Sequence, residues 1–483
     1  MANSRPNVKE NRAWIDSGLN WLTVKRAKSA NKERDDLLKS LGHRVRYSFN
    51  HSKIHAGELS PGCAICGAGH WSCLYINSRC TANCFYCPQE RDRKQECRPN
   101  ADIDFDDPDD YVAYLEKFHV KGVGFSGGEP LLVFDKLLTY ITKIKKQFGR
   151  SMYLWIYTNG HLVTKDKLIQ LRKAGLDEIR LNISANDYDL RPVKLARDVF
   201  DTVTVEVPSI PEDHARLKRC LAKMHRIGVK YLNIHLLRTT EYNYQNYVKR
   251  GYTFLHTPEV NVLESEITAL KLIRYALDKK IGLPINYCSS VYKERFQDMA
   301  RKQRYGSWVK EDLEDFTDSK FIRRLSIRDS IKKLNKIIRT FIEHGERPEL
   351  WSLDQAKAEV SFHKSLLKYI DFGKRKLIIT YFTPLLKMDA GDDSGCKIKL
   401  KSGKFVVIKR HPMVQLLLAS PIMIEFIRKI LTENMEWEGS RSYFLKNYAF
   451  NSKEQLKRLT IESECLSKLI IRESLGTGFP ELS

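Results

Sequence analysis

Nowhere in the 483 residues does an apolar run approach the roughly twenty residues that a membrane span requires, so no membrane partner is expected. The opening residues, MANSRPNVKENRAW, lack the apolar core of a signal peptide, and a cytoplasmic location is the expectation. There is no internal repeat and no low-complexity tract, which sets repeat architectures aside. Acidic residues are in short supply: 59 Asp and Glu face 82 Lys and Arg, a net charge of +23. That balance suits nucleic acid, phosphorylated substrates or acidic protein surfaces, and equally a generally basic solvated surface; it says nothing about fold. Cysteine is sparse over most of the chain, with only Cys220, Cys288, Cys396 and Cys465 of the eleven lying beyond residue 97. A secreted disulfide scaffold is cysteine-dense throughout, so metal binding in a reducing compartment is the better reading, with oxygen sensitivity expected.

The seven remaining cysteines fall between Cys63 and Cys97, and the densest stretch is Cys80-Thr-Ala-Asn-Cys84-Phe-Tyr-Cys87, preceded by Cys73-Leu-Tyr-Ile and followed by Pro88. Three thiols spaced four and three apart on a tight loop suit three irons of a 4Fe-4S cube and leave the fourth iron without a protein ligand. An iron with an open position can take a small molecule through an amine and a carboxylate; a closed structural metal cannot. Taken alone, the triplet also fits buried thiols or three ligands of a four-cysteine zinc site.

From Trp71 short β-rich runs alternate with amphipathic helical patterns, which predicts βα units around a parallel sheet. Strands are expected near residues 73–76, 122–125, 153–157, 178–183, 203–207 and 231–236, with helices near 111–118, 134–146, 165–174, 190–200 and 213–227. Right-handed crossovers curl such a series into a full or partial barrel whose site lies at the carboxyl ends of the strands.

Those strand ends carry polar motifs. The second ends in Ser126-Gly127-Gly128-Glu129-Pro130, where paired glycines let backbone approach a ligand closely and the acid can receive an ammonium; an ordinary glycine turn is the plain alternative. The third ends in Thr158-Asn159-Gly160, a hydrogen-bonding turn that strand capping explains nearly as well. On the fourth, alternation sends Arg180, Asn182 and Ser184 to one inward face, suited to ribose hydroxyls. Glu206 on the fifth and His235 on the sixth could touch a cofactor, shuttle a proton, or be satisfied polar groups of the barrel. Tyr242 to Tyr247 is a polar aromatic segment suited to a lid or a substrate wall.

Upstream, Pro61-Gly-Cys63-Ala-Ile-Cys66-Gly carries a CxxC on a glycine-rich turn, half of a zinc or auxiliary iron-sulfur site. His70, Cys73, Cys97 and Cys288 are the candidates for completing it. Cys63 and Cys66 precede the first strand whereas Cys97 and Cys288 follow strand ends, so joining them requires a segment to fold over the barrel.

The CxxxCxxC motif, with aromatic Tyr86 before its last cysteine, resembles the signature of the radical S-adenosylmethionine (radical SAM) superfamily, and Gly127-Gly128-Glu129 one βα unit later resembles that superfamily's GGE motif. The resemblance implies an α/β fold built on a partial (βα)6 barrel. It also implies a 4Fe-4S cluster on Cys80, Cys84 and Cys87, and SAM held by Tyr86, Gly127, Gly128, Glu129, Asn159, Asn182 and Ser184, with His235 a further candidate from its place on the sixth strand. From Gly62 to about Arg304 the chain is similar to poorly characterised radical SAM proteins related to pyruvate formate-lyase activating enzymes, including their GCxxC and NYCSS segments. That likeness favours Cys288 over Cys73 as the partner of Cys63 and Cys66 at a second metal site.

The expected organisation is a basic helical N-terminal lead-in over residues 1–60, a radical SAM core over 61–305, and a basic α+β C-terminal appendage over 306–483. Within the appendage, residues 321–342 read as a helix with one charged face, 376–382 and 396–410 as strands with a Ser402-Gly403 turn, and the chain from Met413 onward as helices. The expected function is reductive cleavage of SAM to a 5′-deoxyadenosyl radical that abstracts hydrogen from a macromolecular substrate, RNA or polypeptide, with an electron donor such as flavodoxin or ferredoxin. The reading from another class is a non-catalytic iron-sulfur or zinc protein that binds RNA.

Overall fold

The computed structural model describes residues 18–89, 103, 105–255, 260–373, 375–388, 395–419 and, beyond these, positions 424, 427, 428, 431, 469, 472 and 473. It divides into two units, residues 1–298 with 400–404 and 477–483, and residues 299–399 with 405–476. Among the described residues no helix is long and apolar enough to cross a membrane.

The first unit contains strands β1 (Asn20–Trp21), β2 (Arg46–Ser48), β3 (Lys53–Ala56), β4 (Trp71–Asn77), β5 (Gly122–Gly127), β6 (Tyr153–Thr158), β7 (Glu178–Leu181), β8 (Thr202–Pro208), β9 (Tyr231–His235), β10 (Thr253–Leu255), β11 (Asn261–Val262) and β12 (Ile285–Cys288). Nine form one sheet in the order β2-β3-β12-β9-β8-β7-β6-β5-β4. From β4 through β9 to β12 every pairing is parallel. The six expected strands are therefore present, and a seventh, β12, ends at Cys288. Between them run helices Pro108–Lys117, Phe134–Phe148, Lys165–Ala174, Arg191–Arg197 and His214–Ile227.

One short helix shows that this sheet curves. Pro61–Gly67 brings Gly62 against the Arg180 guanidinium of β7, Ile65 against Gly122 of β5, and Cys63 within 3.7 Å of Asn286 on β12. In a flat sheet β5 and β12 would lie about 24 Å apart at ~4.8 Å per strand, more than twice the length of a seven-residue helix. The sheet therefore wraps around Pro61–Gly67 as a partial barrel, with apolar side chains such as Ile179, Val203 and Leu232 fully buried and polar ones turned inward.

The lead-in is only partly helical. Val24–Leu41 is a helix capped by Thr23, and its buried Arg34 pairs with Glu266 at 3.5 Å. The β2-β3 hairpin then extends the open edge of the barrel antiparallel to β12. A second, three-stranded sheet joins β1, β10 and β11 over an apolar cluster that includes Tyr247, Tyr252 and Phe254, against which Phe85 and Tyr86 of the cysteine loop pack.

The second unit is an antiparallel sheet, β15-β16-β14-β17-β19-β18 with β13 on β14. Its strands are β13 (Asp315–Phe316), β14 (Ile322–Arg328), β15 (Trp351–Asp354), β16 (Glu359–Phe362), β17 (Leu377–Met388), β18 (Cys396–Lys399) and β19 (Phe405–Leu418). Helix Ile331–Glu343 buries Leu334, Ile337 and Phe341 against it. Two expectations are corrected. Residues 322–328 are a strand, because pairing with β16 and β17 claims them before the helix begins. Residues 413–418 are strand rather than helix: β17 pairs along them, burying Leu416 and Leu418 while Leu417 faces out. Most of the chain expected to be helical beyond Leu418, together with Cys97 and Cys465, lies outside the described residues.

Candidate functional site

The loop that carries Cys80, Cys84 and Cys87 leaves the carboxyl end of β4, and the turn after β5 is its immediate support. Gly128 N donates to Asn77 O at 2.7 Å, Glu129 N to Arg79 O at 2.8 Å, and Asn77 Nδ2 to Glu129 O at 2.9 Å. This contact requires two glycines. Gly127 has φ +114° and a Cβ there would lie 2.3 Å from Asn77 O; a Cβ on Gly128 would lie 2.0 Å from Arg79 O.

Glu129 is fully buried. Its Oε1 accepts from Leu131 N at 3.1 Å and Thr158 Oγ1 at 2.8 Å, and its Oε2 from Asn159 N at 2.8 Å. Burial pushes its carboxyl up, opposed by those hydrogen bonds. The carboxylate thus ties the ends of β5 and β6 together, and Oε2, with one protein donor, keeps acceptor capacity. From the same turn Asn159 Nδ2 reaches Thr81 Oγ1 at 2.8 Å and Cys80 Sγ at 3.5 Å, and Ala82 N lies 3.4 Å from that sulfur. His161, unremarked in the sequence, approaches Thr81 Oγ1 at 3.3 Å.

The other end of the loop is held as firmly. The Tyr86 hydroxyl lies 2.6 Å from Ser184 Oγ and accepts from Asn182 Nδ2 at 3.2 Å, so three expected cofactor residues meet. Burial, then the Cys84 charge, push the Tyr86 hydroxyl up, and it stays protonated. The segment expected to be a lid or a substrate wall is bonded to the cysteine loop: Asn243 Nδ2 donates to Tyr86 O at 3.1 Å and Asn246 Nδ2 to Phe85 O at 3.0 Å. Tyr247 is fully buried, and Arg250 stacks 3.6 Å over the Phe85 ring.

Cys80, Cys84 and Cys87 are each half-buried and unpaired by disulfide. Among the described residues no three His, Cys, Asp or Glu side chains converge as ligands of a single ion. Thiolates on three corners of a cube stand farther apart than the ligands of one ion. The donor set fits such a cube: three thiols of one irregular loop, with N–H groups aimed at the first sulfur.

His235 and Arg180 belong to a different group, in the barrel interior. Arg180 pairs with Glu178 at 2.9 Å and Glu206 at 3.1 Å and donates to Ser60 Oγ at 3.3 Å, so it is not a free ribose donor. Burial alone would raise the Glu206 carboxyl, but His235 and Arg180 hold it well below the carboxylate range. Burial lowers His235, with Glu206 opposing. With its proton on Nε2, His235 donates to Glu206 Oε1 at 2.6 Å, and the Arg180 guanidinium lies 3.1 Å from the other oxygen of the same carboxylate. Nδ1 of His235 is then a buried acceptor with no hydrogen bond.

Cys63, Cys66 and Cys288 face the same interior. Burial pushes the Cys66 and Cys73 thiols each up to about 12. The expected obstacle to joining Cys288 with the upstream pair disappears because helix Pro61–Gly67 lies inside the barrel rather than beneath it.

The family model described as the Radical SAM superfamily matches residues 74–244, from β4 into the Tyr242 to Tyr247 segment. A protein of Methanocaldococcus jannaschii named as a glycyl-radical enzyme activating enzyme is 30% identical over 301 residues, 58% of this chain and 78% of that protein. One of Methanococcus aeolicus named as a GTP 3′,8-cyclase is 30% identical over 122 residues, 24% of this chain and 38% of its own length. Among solved structures, SuiB of Streptococcus suis bound to S-adenosylmethionine aligns at 13% identity and a TM-score of 0.32, over 46% of this chain and 50% of that one. With its cysteine loop seated on the glycine turn at the mouth of a parallel barrel, and with relatives of this kind, the chain belongs to the radical SAM superfamily, enzymes whose cofactors are a 4Fe-4S cluster and S-adenosylmethionine.

Proposed function

We propose that Cys80, Cys84 and Cys87 hold the cluster, that the surrounding turns hold SAM, and that the radical so generated takes hydrogen from a polypeptide. The observation that carries this reading is the direct bonding of the Gly127-Gly128-Glu129 turn to Asn77 and Arg79, which sets the cysteine loop and the glycine turn in one fixed unit. When bound, the cluster would supply one electron, drawn from a low-potential donor such as flavodoxin or ferredoxin, for the reductive cleavage of SAM.

The residues have separate tasks. Gly127 and Gly128 let the turn close on the Asn77 and Arg79 carbonyls of the cysteine loop, and Glu129 Oε2 offers the buried negative charge that receives an ammonium. Asn159 orients Thr81 and donates to the Cys80 sulfur. Tyr86, Asn182 and Ser184 present a hydroxyl and amide group of the kind that binds ribose, and His235 contributes a neutral Nδ1 acceptor within the barrel. Membership of an enzyme superfamily leaves the non-catalytic RNA-binding reading without support.

A polypeptide is favoured over RNA because the Methanocaldococcus jannaschii relative is named for activating another enzyme. The test supplies the reconstituted protein with SAM, reductant and cell extract grown on deuterated glycine, separated into protein and RNA fractions. Deuterium in 5′-deoxyadenosine from the protein fraction supports the reading. Hydrogen transfer only from the RNA fraction rejects the polypeptide.

A further inference from the structure

Lys53 on β3 is fully buried. Its ammonium lies 3.7 Å from the centre of the Tyr292 ring and donates to Cys288 Sγ at 3.3 Å, and no carboxylate among the described residues pairs with it. A buried ammonium costs several kcal/mol by desolvation unless an anion faces it, and the groups facing this one are the Tyr292 ring and the Cys288 sulfur.

The three cysteines around it come from two separate elements. Cys63 and Cys66 lie on helix Pro61–Gly67, whose N-terminus is fixed by Ser60 Oγ accepting from Cys63 N at 3.1 Å. Gly62 is required beside Cys63, since a Cβ there would stand 2.3 Å from the Arg180 guanidinium. Cys288 ends β12. Asn286 Nδ2 lies 3.7 Å from Cys63 Sγ and 3.5 Å from Cys288 Sγ, so the two sulfurs are no farther apart than these distances together.

The polar groups around the sulfurs are nearly all donors. Asn233 Nδ2 donates to Cys63 at 3.3 Å and Gln297 Nε2 to Cys66 at 2.8 Å, with the Tyr292 hydroxyl 3.9 Å from Cys66. The exception is Asn233 Oδ1, 3.5 Å from Cys63 Sγ. N–H groups converging on sulfur are what metal-bound thiolates take, whereas a neutral thiol is only a weak acceptor. Asn286 Oδ1 is meanwhile buried with no partner.

We propose that Cys63, Cys66 and Cys288 form a second, thiolate-ligated centre for a soft metal, a zinc ion or an iron-sulfur cluster, with Lys53 as its buried counter-charge. Three protein sulfurs leave one coordination position open. The sulfurs do not yet converge on a point, so loading draws them inward from the amide donors that hold them.

The test uses the full chain with Cys80, Cys84 and Cys87 replaced by alanine, so failure of the loop to carry a cluster leaves the result unaffected. This protein is reconstituted anaerobically in two arms, zinc alone or ferrous iron with sulfide, desalted, and read by elemental analysis and visible absorption. Stoichiometric zinc in the first arm, or sulfide-containing iron with a charge-transfer band in the second, identifies the occupant. Either must be lost on adding Cys63→Ser, Cys66→Ser and Cys288→Ser, with folding checked by circular dichroism. Should that combination not fold, Cys288→Ser alone is read the same way and must lose metal, and Lys53→Met must lose it faster to a chelator. Stoichiometric metal in neither arm, or retention unchanged by the serine substitutions, overturns the proposal.

Discussion

Gly128→Ala isolates the contact on which the cysteine loop rests. Gly128 does not occupy the left-handed region, so alanine there meets no backbone strain and the effect is one of space. The new Cβ would lie 2.0 Å from the Arg79 carbonyl oxygen and 2.7 Å from that of Ser78, where ordinary contact begins near 3.4 Å. Both obstacles are backbone, so the start of the loop must withdraw by more than an ångström. Two hydrogen bonds, Gly128 N to Asn77 O and Glu129 N to Arg79 O, are then stretched or lost, about 1 kcal/mol each. With about 1–3 kcal/mol for overpacking, the expected loss of stability is about 3–5 kcal/mol. A displacement of that size at reacting groups costs on the order of 100-fold in rate. The assays are urea unfolding, iron content after anaerobic reconstitution, and 5′-deoxyadenosine formation. Gly251→Ala is the control: φ is +67° with nothing within 4 Å, so only the left-handed penalty of about 1–2 kcal/mol applies and the rate should hold. A Gly128→Ala protein that unfolds with wild type and forms 5′-deoxyadenosine at the wild-type rate refutes the reasoning.

Removing Arg180 with Arg180→Met strands the fully buried Glu178 without its cation, and urea unfolding should show a loss of about 3–5 kcal/mol. A loss below about 1 kcal/mol would mean the pair is solvated. Tyr86→Phe removes the hydroxyl bonded to Ser184 and Asn182, and should raise the SAM dissociation constant with a stability change of only about 1 kcal/mol; unchanged SAM affinity would show that the hydroxyl only braces the loop. Glu206 is held below the carboxylate range and His235 below the imidazole range. Both bind protons less readily folded than unfolded, so their contribution is complete at neutral pH and is lost as pH falls, first through the imidazole and then the carboxylate range. Unfolding measured from pH 5 to pH 2, where Glu206 takes up its proton, should fall less steeply in Glu206→Gln than in wild type, and parallel curves would contradict the assignment.

The barrel was largely legible because its strands and helices obey different periods, and the bounds expected for β6, β8 and helix Lys165–Ala174 lie within a residue or two of those observed. What the sequence could not convey is pairing across distance. Residues 413–418 carry no local mark of the register with β17, and Tyr242 to Tyr247 reads as a lid or a substrate wall with no sign that Asn243 and Asn246 bond to the backbone of Phe85 and Tyr86. The site followed the same division. Cys80, Glu129 and Asn159 announced themselves by spacing and turn chemistry, and Tyr86, Asn182 and Ser184 were each singled out without sign that they would meet. Arg180 looked available for ribose because Glu178, two residues back on the same inward face, was not weighed against it. Lys53 and Asn286 gave no signal, since one lysine in a basic chain is unremarkable until it is buried beside cysteine.

The most direct test of the central claim is 5′-deoxyadenosine formation by the anaerobically reconstituted protein with SAM and a strong reductant, beside the Cys80→Ala, Cys84→Ala, Cys87→Ala variant. Reductant-dependent 5′-deoxyadenosine from the wild-type chain and none from the variant is the result predicted. A wild-type chain with its cluster fully loaded that leaves SAM uncleaved even with cell protein and RNA fractions added, or a variant that cleaves SAM as well as wild type, would contradict the account.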